Sequence, residues 1–202
     1  MLKVPIAVLV SGGGTNLEHL LLAQEAGQLP HGEIRLVVSN NPDAYALTRA
    51  ANHGVAAAVA DHRGRSQAEF EAALQRLLEE NGIRLIILAG FLRILSADFV
   101  ARWPERIINV HPSLIPSFCG AGFYGLKVHQ AALDYGVKVS GATVHLVNEE
   151  PDGGRILLQK AVEVLPDDTP ETLQRRIMEQ AEWVLLPQAA ELMCKKITEE
   201  ES

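Results

Sequence analysis

VLVSGGGTNLEHL, residues 8–20, decides how the chain is folded. An apolar run ends at Ser11, three glycines follow, and Thr15 and Asn16 lead into a helix-like stretch. A strand that breaks at glycines and re-enters as a helix is the opening unit of an α/β fold. The glycines give up side chains and present bare backbone N–H groups. The helix N-terminus adds the positive end of its dipole, so the turn reads as an anion cradle. A P-loop would end in Gly-Lys-Ser/Thr, whereas this turn ends Gly14-Thr15-Asn16. A dinucleotide fingerprint needs glycine near position 17, where Leu17 stands. Neither an NTP nor NAD is supported. Two readings stay open: a single phosphate, helped by the Thr15 and Asn16 side chains, and a tight structural turn.

Working outward, VPIAVLV (residues 4–10) reads as a strand covered on both faces. A helix is expected from Asn16 to about Ala26, then a second strand, EIRLVVSN. A helix from Asp43 to His53 and a short strand, VAAAVA, follow. SQAEFEAALQRLLEE opens with a capping box, Ser66 and Glu69, and places Phe70, Leu74, Leu77 and Leu78 at helical spacing. IRLIILAG and RIINVHP are the fourth and fifth strands. After His111 the texture changes to a loop rich in Pro, Gly and Ser. LKVHQAALDYG is then a helix stopped by Gly136. VKVSGATVHLVNE and RILLQKAVEVL form an antiparallel hairpin turning at residues 151–154. A last helix starts at Thr169-Pro170, and the tail TEEES is expected to fray. The fold class is α/β: a Rossmann-like, mostly parallel sheet with helices on both faces, extended by an antiparallel C-terminal hairpin. Residues 1–202 are expected to form a single domain, with a phosphate-binding half at 1–110 and a catalytic half at 111–202.

Composition narrows the function. A chain of 202 residues with 48% hydrophobic residues can bury a core without disulfides or metal. A net charge of −7, few aromatics and no basic stripe argue against a nucleic-acid partner. Cys119 and Cys194 lie outside any C-x-x-C pair and read as free thiols in a reducing compartment. The first apolar run is too short to span a membrane and lacks the flanks of a signal peptide. A cytoplasmic protein is expected. The histidines show no metal-ligand spacing, and no G-x-S-x-G elbow is present.

Asn109 and His111 close the fifth strand, at the strand end where ligands collect in open α/β sheets. Two residues apart on a strand, they point to one side. An amide beside an imidazole can stabilise an oxyanion and move a proton. Taken alone, the pair reads as a histidine buttressing the turn before Pro112. Asp152 in EEPDGG reads first as turn chemistry, although a carboxylate folded back beside His111 would favour its imidazolium. AGFLRIL (residues 89–95) is either a buried crossover or an apolar slot for a flat ligand.

Together these blocks resemble the phosphoribosylglycinamide formyltransferase family. SGGGTN, AGFLRIL, INVHPSLIPSF and DGGRILLQ match its signature segments in order. The resemblance implies transfer of a formyl group from 10-formyltetrahydrofolate to the amine of a glycinamide ribonucleotide, without a metal. Small-molecule substrates, no nucleic acid and no membrane are implied, in a monomer or homodimer. Gly12, Gly13, Gly14, Thr15 and Asn16 would hold the ribonucleotide phosphate, and Glu182 would contact the glycinamide substrate. Leu92, Arg93, Ile94 and Leu95 would line the pterin slot. Asn109 would bond the formyl oxygen, His111 would handle the proton, and Asp152 would pair with it. Asn148, Glu149, Glu150, Pro151 and Asp152 would wall the folate site.

Two departures stand out. Gln67, with Arg65 nearby, occupies a place where the family often has a folate-touching arginine. The loop at 117–129, which carries Cys119, is longer than usual and gains no role from the resemblance. Related formyl-folate enzymes are the rivals. Methionyl-tRNA formyltransferase resembles a longer chain, and formyltetrahydrofolate deformylase lacks the His-Pro-Ser form of the histidine block. A folate- or nucleotide-binding module without catalysis is the non-enzyme alternative.

Overall fold

The computed structural model describes residues 3–200. β1 (Val4–Val10) runs through the glycine turn into α1 (Thr15–Glu25), followed by β2 (Gly32–Ser39), α2 (Tyr45–Asn52) and β3 (Ala56–Val59). α3 (Gln67–Glu80), β4 (Leu85–Leu88), a short α4 (Ala97–Ala101) and β5 (Ile107–His111) complete the parallel half. α5 (Leu126–Tyr135) precedes the hairpin of β6 (Val139–Leu146) and β7 (Ile156–Glu163). α6 (Pro170–Ile177), a π-helical turn (Met178–Glu182) and α7 (Trp183–Glu200) close the described chain.

The strands form one sheet in the order β3-β2-β1-β4-β5-β6-β7. β1 pairs in parallel with both β2 and β4, β3 adds to β2 and β5 to β4. β6 and β7 then join antiparallel. Chain order therefore reverses between β1 and β4. A crevice opens at such a switch point, beyond the carboxyl ends of the strands.

Every residue of β1 is buried, because helices cover both faces of its part of the sheet. Its side chains alternate between two cores. Ile6, Val8 and Val10 pack in the core that holds Leu17, Leu20, Met193 and Ile197. Ala7 and Leu9 pack with Phe70, Leu74, Leu78 and Phe99 on the other face. The end signals act as expected. Ser66 and Glu69 form a complete capping box, Thr169 caps α6 ahead of Pro170, and Gly136 stops α5 at φ 81°.

Several expectations are corrected. α4 has five residues, too few to show a period, and was absent from the sequence reading. α5 starts at Leu126, where the helix was expected, so the helix takes up the C-terminal part of the 117–129 loop. Thr198, Glu199 and Glu200 continue α7, where fraying was expected, while Glu201 and Ser202 lie outside the described residues. The last helix is not continuous. Its π turn lies one turn ahead of Pro187, which has no N–H for the carbonyl four residues back. Among the described residues, no helix is long and apolar enough to cross a membrane.

Candidate active site

A cleft of about 740 Å³ opens at the switch point. The start of α1, the segment after β4, the end of β5, the hairpin turn, the loop before α5 and the α6–π segment all border it. The catalytic candidates meet at its floor. β5 presents Asn109 and His111 to one side, and the antiparallel register sets His145 of β6 opposite Asn109. Asp152 reaches them from the hairpin turn at φ 57°, a left-handed conformation that aspartate tolerates.

The Asp152 carboxylate is shared. Oδ2 lies 3.5 Å from His111 Nδ1 and accepts from the Gly120 N–H at 2.8 Å. Oδ1 lies 3.6 Å from His145 Nε2 and 3.5 Å from Asn109 Nδ2. Burial pushes the Asp152 carboxyl upward. His145, the charge of His111 and the Gly120 N–H outweigh that and hold it below its ordinary value. Asp152 is therefore an anion at neutral pH. His111 Nε2 sits 2.9 Å from the Phe118 carbonyl, which can only accept, so Nε2 carries a proton. A proton on Nδ1 as well makes the facing carboxylate attractive. The geometry thus places His111 between the Phe118 carbonyl and the Asp152 carboxylate.

Glu182 lies across the cleft. The π turn directs it inward, where it is buried and accepts from Asn16 Nδ2 at 2.6 Å. Burial pushes its carboxyl up to about 7, against the opposing effect of the Asn16 hydrogen bond. Asn16 Oδ1 is buried without a partner among the described residues. Such an orphaned acceptor, aimed from the first turn of α1, suits a ligand with a hydroxyl or N–H to give. Thr15 and Asn16 line the cleft, and Gly12, Gly13 and Gly14 form the turn leading to them.

The 92–95 segment forms one wall. The Leu92 N–H donates to Ser11 Oγ at 2.8 Å, tying this wall to the end of the glycine turn. Leu92 and Ile94 are 66% and 69% exposed, an apolar surface offered to the cleft, while Leu95 turns into the core. Arg93 borders the cleft and donates through Nη2 to Gln67 Oε1. Gln67 itself does not. Its amide donates to the Ile94 carbonyl at 2.9 Å and to Glu71 at 2.6 Å, so it braces the wall from behind. Gln67 thus stands behind the cleft wall, and Arg65 does not reach the lining either.

Asn148, Glu149, Glu150, Pro151 and Asp152 all border the cleft, as expected. The sequence reading missed His145, the Phe118 carbonyl and Gly120 N–H of the long loop, and Gln174 and Met178. For His145 a signal existed, a lone histidine in the apolar run of β6. The loop gave none, because it contributes through its backbone. Cys119 is half-buried, its thiol raised by burial and by the Asp152 charge, which fits an inert side chain. Among the described residues, no cluster of His, Cys, Asp or Glu could hold a metal ion.

Comparison with known proteins agrees with this architecture. The formyl transferase family model matches residues 4–189. The trifunctional purine biosynthetic protein adenosine-3 of Gallus gallus is 46% identical over 95% of this chain, which spans 18% of that protein. The phosphoribosylglycinamide formyltransferase of Haemophilus influenzae is 40% identical, over 87% of this chain and 80% of its own. The crystal structure of glycinamide ribonucleotide transformylase 1 from Symbiobacterium toebii superposes with a TM-score of 0.89 at 40% identity, covering 96% of this chain and 89% of that one. With a glycine turn, a β5 Asn-x-His and a hairpin aspartate built into one cleft, and a match over nearly its whole length, the chain belongs to the formyl transferase family.

Proposed function

We propose that this protein transfers the formyl group of 10-formyltetrahydrofolate to the glycinamide amine of 5'-phosphoribosylglycinamide. The products are formylglycinamide ribonucleotide and tetrahydrofolate, in purine nucleotide synthesis. The observation that carries this reading is the cluster of Asn109, His111 and Asp152, in one cleft with Thr15, Asn16 and Glu182. The apolar wall of Leu92 and Ile94, closed by the turn of residues 148–152, fits a flat pterin. The cleft volume suits a ligand of that size.

On this reading each residue takes a role. Gly12, Gly13, Gly14, Thr15 and Asn16 hold the phosphate on backbone N–H groups at the α1 terminus. Asn16 and Glu182 orient the remainder of the ribonucleotide. The amine attacks the formyl carbon, and Asn109 donates to the oxygen as it gains charge. His111, held by Asp152, gives a proton to the leaving folate nitrogen while the attacking amine releases one. The new C–N bond replaces the old one, and protons balance without a metal or redox step. We place this reaction in the cytoplasm, in a single domain acting as a monomer or homodimer.

Release of tetrahydrofolate, followed by absorbance with and without the ribonucleotide, tests the proposal. Release that requires the ribonucleotide and yields its formylated form is expected. Equal release into water would replace this reading with a deformylase, and binding without turnover would leave a binding module. His111→Ala should reduce kcat by about a hundredfold or more while leaving the fold intact. A folded variant at near wild-type rate would remove His111 from its role.

A further inference from the structure

We infer that Arg49, on the outer face of α2, is a positioning residue that shapes the glycine turn for the ribonucleotide phosphate. This rests on the proposed phosphate site. A turn can offer N–H groups to an anion only if its carbonyls are held away from it. Here all three glycine carbonyls are engaged. The Gly12 carbonyl accepts from the Ala46 N–H at 3.1 Å, and the Gly14 carbonyl from the Glu18 N–H at 3.0 Å. The Gly13 carbonyl, in the middle, is held by a side chain: Arg49 Nε donates to it at 2.9 Å.

The guanidinium is itself fixed on two further sides. Nη1 donates to Glu18 at 2.8 Å, and the group lies over the Tyr45 ring, 5.1 Å from its centroid. Glu18 is held in turn by His53 Nε2 at 3.2 Å. α2 also sits tight against the turn. A Cβ on Gly14, at φ +72°, would stand 2.6 Å from the Ala46 Cβ. The turn is thus clamped from behind by α2, with Arg49 gripping its central peptide. A cation there also polarises that peptide, strengthening the N–H that follows as a donor.

The test compares the ribonucleotide with the riboside that lacks its phosphate. Wild-type enzyme should strongly prefer the ribonucleotide; equal use of both would overturn the phosphate site itself. Given that preference, Arg49→Ala should raise KM for the ribonucleotide about ten- to a hundredfold, the loss expected for a charged hydrogen bond. kcat, KM for the formyl folate and kcat/KM for the riboside should change little. Arg49→Gln, which keeps a donor, should recover part of the loss and decides the matter if Arg49→Ala fails to fold. An unchanged ribonucleotide preference in a folded variant, or equal losses on both substrates, would overturn the role assigned to Arg49.

Discussion

Two buried side chains pull the stability of this protein in opposite directions as pH changes. Glu182 has its carboxyl pushed by burial from 4.5 to about 7. The folded state therefore binds its proton more tightly, and this stabilising contribution is lost as pH rises from 4.5 to 7. Among the described residues neither ring nitrogen of the buried His129 of α5 has a partner, and burial, with His111 adding to it, lowers it from 6.5 to about 4. The unfolded chain then binds more protons, and stability is lost as pH falls from 6.5 to 4. Each effect is on the order of 3 kcal/mol. In the wild type the two oppose each other across one pH window. Denaturant melts between pH 4.5 and 7 should show Glu182→Gln gaining stability over wild type as pH rises. His129→Leu should gain as pH falls. Parallel curves for either variant would contradict the assignment. What the sequence disclosed at this scale was uneven. Asn109 and His111 were legible from their place at a strand end. His145 was not, because its role comes from the β5–β6 register. The place of Gln67 was not legible either, because only packing shows its amide facing the Ile94 carbonyl.

The elements carry the same contrast. Caps were readable in local sequence, since Ser66, Glu69, Thr169 and Gly136 act on backbone within a few residues. The π turn was not, because it serves a contact 166 residues away, between Glu182 and Asn16. It inserts one residue without turning the flanking helices off the core: Leu173 and Ile177 before it, and Leu185 and Leu186 after it, are all buried. Deleting the exposed Gln180 should therefore convert the turn to α-helix, keep both flanks packed, and withdraw Glu182 from the cleft. Far-UV circular dichroism should match wild type while kcat/KM falls by about a hundredfold, the effect of misplacing a contact group. Retained activity would show that the π turn is not what aims Glu182.

Across the whole molecule, alternating strand and helix signals disclosed a mostly parallel sheet but not its strand order, and it is the order, with its switch point between β1 and β4, that locates the cleft. What closes the structure is α7, which returns to the first strands. Leu186, Met193, Cys194 and Ile197 are buried in the core shared with Val4, Ile6 and Val8. Burying side chains of this kind is worth about 1.5–3 kcal/mol each. Together they approach the whole stability of a domain, about 5–15 kcal/mol. Removal of residues 183–202 should leave a chain with no cooperative thermal transition, and a sharp melt would disprove this dependence. The same return path governs biosynthesis. On the ribosome β1 emerges well before α7, so part of the core it shares with Met193 and Ile197 waits for that helix. At about 5–20 residues per second, synthesis of those final residues alone takes roughly one to four seconds. Until α7 docks, the part of the β1 core that Met193, Cys194 and Ile197 fill has no cover.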